Sequence, residues 1–220
     1  MKIVEIKPRR KHISGIVFDI EIVPEDYGAD VDPVGLLALD SELCEMKRLK
    51  SGTELSDEAL TELVRESHIK RAKSRAMWYL SRSSMPKEKL RKKLCENFPD
   101  YAAQCAVDRA EELGFINDAD YAARKIQLLI DNKKVSVKAA RRMLEAEGVG
   151  REDAALAAEG AEYDPTEAIL TLVERKYKRK LDDKKDFQNT VAALMRKGFS
   201  YSEIRTALKE YENSSDMYEE

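Results

Sequence analysis

From Ser56 onward the apolar residues recur with a period near 3.6, the spacing of helices with one buried stripe. Polar clusters, glycines and capping residues divide this stretch into nine predicted helices: 67–82, 86–97 and 100–113; 118–131, 137–147 and 151–162; 165–180, 184–197 and 201–212. Ser56, followed by Asp57 and Glu58, reads as an N-cap with an acidic first turn and starts a linking helix. Asn117 and Ser136 are placed to cap two more helices. Asp164-Pro165-Thr166-Glu167 and Ser200-Tyr201-Ser202-Glu203 carry fuller cap signatures. Gly114, Gly148 and Gly198 each follow a helical stretch, where a left-handed residue can end it.

The helical pattern comes back three times. Leu94, Leu144 and Leu194 are 50 positions apart, each followed by polar residues and then Phe98, Val149 or Phe199. The next helices keep step through Ala103, Ala154 and Ile204, then Val107, Ala158 and Leu208. Such spacing means one structural unit used three times. Residues 1–50 read differently. Lys2–Lys7, Ile16–Val23 and Val34–Leu39 are strand candidates, Pro8-Arg9-Arg10-Lys11 is a turn, and Pro24 to Pro33 is irregular.

The expected fold is mostly α: an elongated array of three tandem three-helix repeats, preceded by a small β-containing N-terminal segment. The expected divisions are 1–55 for that segment, 56–116 for the linking helix and repeat 1, 117–163 for repeat 2, 164–212 for repeat 3, and 213–220 for an acidic tail. Repeat arrays present an extended surface more often than a catalytic pocket.

Charge changes this picture. Charged residues make up 37% of the chain, well above the usual quarter, yet the net charge is only -3. The charge is blocked. Residues 68–98 are net +8, 124–142 net +6 and 175–209 net +7, while 99–123 and 143–174 are net -5 and -8. Each repeat therefore opens basic and closes acidic, and basic blocks that line up would offer one positive stripe to a polyanion. The three cysteines form no C-x-x-C pair, so a reduced compartment is expected, with Cys95 and Cys105 as small core residues. No apolar run approaches the ~18 residues of a membrane span and no secretory segment opens the chain; a soluble, cytoplasmic monomer that engages no membrane is expected.

Catalytic signatures are lacking. His12 and His68 have no zinc spacing, and neither a phosphate-binding Gly loop nor a Gly-x-Ser-x-Gly elbow occurs. No enzyme activity, metal or cofactor is expected. Binding candidates are cationic. Around the helix near 67–82, Arg71, Arg75, Trp78 and Arg82 share one side, away from the stripe of Ile69, Ala72, Ala76, Tyr79 and Leu80. Two readings of Trp78 stand: a contact strip for phosphates, carboxylates or bases, or a ring packed on the N-terminal segment and stacked with Arg75. Lys89, Arg91, Lys92 and Lys93 crowd the next helix. Arg124, Lys133, Lys134, Lys138, Arg141 and Arg142 mark repeat 2, and Arg175, Lys178 and Arg179 mark repeat 3. Charge spread over many helices suits backbone contacts rather than reading of base sequence.

Several of these segments resemble one family. Leu113-Gly114-Phe115-Ile116-Asn117-Asp118-Ala119-Asp120-Tyr121-Ala122 is similar to the LGFI(D/N)D…(F/Y)A signature of the bacterial RecX regulators. Ala76–Arg82 with Lys89–Leu94 resembles that family's opening helices, and Arg196–Ile204 its C-terminal RRGFSY…I motif. The likeness covers residues 67–211. Where the family often has Gly-Pro before the middle helix of repeat 2, this chain has Lys134-Val135-Ser136-Val137, in which Ser136 still supplies a cap.

The resemblance implies three tandem three-helix units, no catalytic residues, and a partner: the filament of RecA recombinase on single-stranded DNA. It further implies binding in the filament groove with inhibition of ATPase, strand exchange and the SOS response. Two other classes fit the cationic pattern alone: a sequence-independent nucleic-acid-binding protein, and a helical-repeat adaptor for an unrelated protein.

Overall fold

Three short segments near the N-terminus pair into an antiparallel sheet because a lone strand cannot satisfy its own backbone. In the computed structural model, which describes residues 3–8, 19–24, 37–177 and 184–216, these are β1 (Ile3–Pro8), β2 (Asp19–Pro24) and β3 (Leu37–Asp40). The order is β1-β2-β3, with Ile6 opposite Ile22 and Ile20 opposite Leu39, and an irregularity between Ile3 and Glu5. The expected turn over residues 9–11 and most of the irregular stretch 24–33 lie outside the described residues. The chain divides into two compact units, Met1–Ile116 and Asn117–Glu220.

In the first unit, β3 runs directly into α1 (Ser41–Met46). Asp40 sits at this junction and is buried, so its charge needs partners. It has them: its side chain accepts from the Leu43 N–H at 3.0 Å, and the Lys70 ammonium lies 3.0 Å away. Its own N–H donates to Ser67 Oγ at 2.9 Å. Ser67 and Lys70 belong to α2 (Asp57–Leu80), so this cluster pins the sheet to that helix.

The linking helix and the first helix of repeat 1, expected as two, are one unbroken helix of 24 residues capped by Ser56, whose side chain accepts from the Ala59 N–H. No residue between Ser56 and Leu80 is a Gly or Pro, so nothing stops the helix once it starts. Its first half gives Leu63 to a core with Ile3, Leu39, Leu43 and Cys44. Its second half gives Ala72 and Ala76 to the core of repeat 1, which α3 (Lys87–Cys95) and α4 (Asp100–Glu112) complete.

Cys95 and Cys105 are exposed, against the sequence expectation; only Cys44 is buried. Cys95 is the last residue of α3, and its thiol lies 3.5 Å from Asp100. Cys105 falls between the buried pairs Ala102–Ala103 and Ala106–Val107, off the stripe.

The second unit holds repeats 2 and 3. Repeat 2 is α5 (Asp118–Lys133), α6 (Val137–Glu147) and α7 (Arg151–Glu159). Repeat 3 is α8 (Pro165–Leu172), α9 (Lys184–Arg196) and α10 (Tyr201–Asp216). The helix expected over 165–180 is α-helical only to Leu172 and continues as a π-helical turn, Val173–Tyr177, with Val173 fully buried and Tyr177 against the third core. Caps fall where the sequence places them. Asn117, Ser136 and Asp164 accept backbone N–H groups from their first turns. Ser200 and Glu203 satisfy each other's N–H reciprocally. Gly114, Gly148 and Gly198 are left-handed.

Leu94, Leu144 and Leu194 are each 0% exposed at the centres of the three cores. Repeats 2 and 3 also lock to each other. Tyr163 packs against both cores. The turn after α9 presses on the start of α6: the Ser136 N–H donates to the Lys197 carbonyl at 3.1 Å. The Lys197 ammonium in turn donates to the carbonyls of Lys133 and Lys134, at 2.6 and 3.3 Å, at the end of α5. Gly198 lies so close that a Cβ there would meet Ser136 Oγ at 2.4 Å and the Ala139 Cβ at 2.7 Å.

Two comparisons test this packing. Leu144→Ala should lower unfolding free energy by about 2–5 kcal/mol in urea titration, while Leu128→Ala, at a residue 55% exposed, should change it by under ~0.5 kcal/mol. Equal effects would contradict the cores described. Gly198→Ala should lower the melting temperature more than Gly114→Ala. Both lose a left-handed glycine, worth about 1 kcal/mol, but a Cβ at Gly114 meets nothing within 4 Å. Equal melting temperatures would show that the α6 contact bears no load.

Candidate anion-binding faces

In repeat 1 the arginines of α2 lie over rings rather than beside carboxylates. The Arg75 and Arg82 guanidiniums sit 5.3 and 4.2 Å from the centre of the Trp78 ring. Arg71 lies 5.8 Å from the Phe98 ring, and the Lys93 ammonium of α3 lies 5.1 Å from Tyr79. Trp78 and Tyr79 meet edge to face at 5.2 Å. Trp78 is half-buried and belongs to none of the apolar cores of the described residues. The stacking with Arg75 is therefore present, while no packing on the sheet is seen among the described residues. Stacking occupies a guanidinium's face and leaves its N–H edges in plane, the geometry for a carboxylate or phosphate.

Beside this band His68 Nδ1 and the Tyr101 hydroxyl are 2.8 Å apart, with Arg65 over the Tyr101 ring. Burial, and then the Arg71 charge, hold the His68 imidazole below its ordinary pKa.

Not every candidate cation is equally available. Arg91 donates to Glu88 and to Asp100 and so ties α3 to the start of α4. Lys92 lies 3.8 Å from Glu88. In repeat 2, Arg124 pairs with Asp120 and Arg141 with Glu145, both at 2.9 Å along their own helices. Lys138 and Arg142 are exposed on α6 and have no ion-pair partner among the described residues. Lys133 and Lys134 lead into this helix, and Lys134 adopts φ 47°, left-handed without being glycine. That is the residue at which the RecX pattern often has Gly. Lys89 is half-buried. Arg175 lines a depression with Asp164, Glu167, Glu174 and Glu210, so its charge stands in acidic surroundings. Lys178 and Arg179 lie outside the described residues.

Sequence reasoning missed Lys197. Its bonds reach 63 and 64 positions back, which no local pattern encodes. Burial, and then the nearby Lys176 charge, lower its ammonium pKa. It acts as a strut between repeats, and it also caps the carbonyl end of α5, where a cation is favoured. Among the described residues no group of His, Cys, Asp or Glu is placed to hold a metal, and no helix is long and apolar enough to cross a membrane.

A family model described as the third three-helix domain of RecX matches residues 162–208. The chain is similar to the regulatory protein RecX of Clostridioides difficile, 26% identical over 186 residues, spanning 83% of this chain and 88% of that protein. The Bacillus subtilis regulatory protein RecX is 28% identical over 207 residues, spanning 89% and 76%. The crystal structure of a regulatory protein RecX matches with a TM-score of 0.63 at 21% identity, covering 94% of this chain and 98% of its own. That of RecX from Lactobacillus salivarius matches at 0.57 and 23%, covering 65% and 96%. These two structural likenesses establish the fold.

Trp78 is the single tryptophan, so its fluorescence reports on the ring band alone. Arg75→Ala with Arg82→Ala should raise acrylamide quenching and cost about 1–2 kcal/mol of stability, two stacked cations' worth. Unchanged quenching would show that these arginines do not shield the ring.

Proposed function

The chain belongs to the RecX family of regulatory proteins, and we propose from that membership that it regulates by binding the filament of RecA recombinase on single-stranded DNA. The effect is inhibition: the filament's ATPase, its strand exchange and its SOS signalling fall when the protein is bound. Regulation is by binding, not catalysis, and it takes place in the cytoplasm.

The observation that carries this reading is the recurrence of outward cations on matching early helices of successive repeats. Arg71, Arg75 and Arg82 stand over rings in repeat 1, and Lys138 and Arg142 project from α6 in repeat 2. A filament repeats one acidic or phosphate-bearing surface many times, so each unit can engage it separately. Bound protein then bridges neighbouring protomers and hinders their turnover. Coulombic attraction of this kind speeds encounter and fixes orientation more than it adds affinity.

Lys138→Glu with Arg142→Glu tests the reading without breaking an internal pair, since neither residue has an ion-pair partner among the described residues. Affinity for RecA filaments should fall on the order of tenfold, with a shallower salt dependence and an unchanged helical circular dichroism spectrum. Filament binding equal to that of the unmodified chain would remove α6 from the interface. Tighter binding to bare single-stranded DNA than to the filament would instead favour a plain nucleic-acid-binding protein.

A further inference from the structure

The outer face of α10 carries a pattern outside all the candidate residues above. Tyr201, Arg205 and Lys209 are four positions apart, so each step rises about 6 Å along the helix axis and turns only slightly around it. The helix's rotation is fixed from behind, because Ile204, Ala207 and Leu208 are buried in the third core. The strip therefore faces solvent. Tyr201 is 61% exposed, unusual for a large ring with no apolar neighbour to cover it. Arg205 and Lys209 are exposed, and neither has an ion-pair partner among the described residues. The nearest carboxylate along the chain, Glu203, is taken up by both the N–H and the hydroxyl of Ser200. Ser202 and Thr206 line the same shallow depression with hydroxyls, and Glu210 lies at its edge.

We propose that this strip is a contact for single-stranded nucleic acid, with one base stacked on the Tyr201 ring and neighbouring phosphates on Arg205 and Lys209. A ring next to two cations in line matches a strand that offers a flat base and then phosphates along one edge. An acidic protein segment would use the cations but give the bare ring nothing to do. The hydroxyls add donors for phosphate oxygens without base selectivity. The inference deepens the filament reading, because the filament holds such a strand, but it is tested without RecA.

The test is fluorescence anisotropy of a labelled oligothymidylate titrated with the full chain. Tyr201→Ala should weaken binding about 5- to 150-fold, the equivalent of ~1–3 kcal/mol for one stacked base. Tyr201→Phe, which keeps the ring, should bind like the parent. Arg205→Ala with Lys209→Ala should lower the slope of log affinity against log salt by about 1.4, or ~0.7 for each phosphate released. All three changes lie on the solvent face, and thermal melts confirm that the fold survives.

Parent-like binding by Tyr201→Ala, or an unchanged salt slope in the double variant, overturns the inference while leaving filament binding untouched. A parent chain that prefers polyglutamate to oligothymidylate overturns it too, in favour of an acidic protein surface. Loss of oligonucleotide binding in a chain that never binds filaments would instead sustain this strip and sink the filament reading.

Discussion

Leu94, Leu144 and Leu194 are withdrawn fully from water, and everything else in the helical part of the chain is arranged to keep them there. Each sits on the middle helix of its repeat, facing a first and a third helix that carry mostly alanine and small apolar residues in repeats 1 and 2. Helices of 9 to 16 residues with narrow apolar stripes do not persist alone in water. Three of them closing over one leucine do, because its side chain and the surrounding methyl groups leave water together. The left-handed glycines and side-chain caps let the chain reverse within a few residues and bring each third helix back onto the same leucine.

A narrow stripe leaves a wide polar face, and on this chain the polar face is where the charge is. Most charges are spent locally. Arg124 and Arg141 meet acids one turn away, and Arg91 joins two elements. Such exposed pairs add little to stability. What distinguishes the arginines of α2 is that their neighbours are rings. A ring face attracts the cation without neutralising it, so Arg75 and Arg82 are held in place and still carry full charge toward a partner. The Lys197 strut is the opposite case: its charge faces inward, on carbonyls, and serves to fix repeat 3 against repeat 2.

Much of this was legible in the chain. The mostly helical class, the 50-residue period, the caps at Ser56, Asn117, Ser136, Asp164 and Ser200, and the glycine ends follow from local chemistry that depends on few neighbours. The unbroken α2 was not read, because a predicted domain boundary was placed where the residues themselves carry no helix stop. The exposure of Cys95 and Cys105 was missed because position near a stripe does not settle which way a small side chain points. For the candidate faces, sequence located the cations but could not tell which are spoken for. Arg91 and Asp100 are nine positions apart in sequence, and Lys197 finds its acceptors more than sixty positions away. The α10 strip carried a readable signal in its four-residue spacing, hidden because Tyr201 lies inside a capping motif and the two cations are isolated from any run.

The most direct measurement of the regulatory claim is the steady-state ATPase rate of RecA on single-stranded DNA, titrated with this protein at fixed salt. Saturable loss of ATP hydrolysis at protein concentrations below that of RecA is the predicted result, since one bound regulator influences several protomers. An ATPase rate that stays constant to a molar excess, under conditions where the protein is folded, would contradict the account.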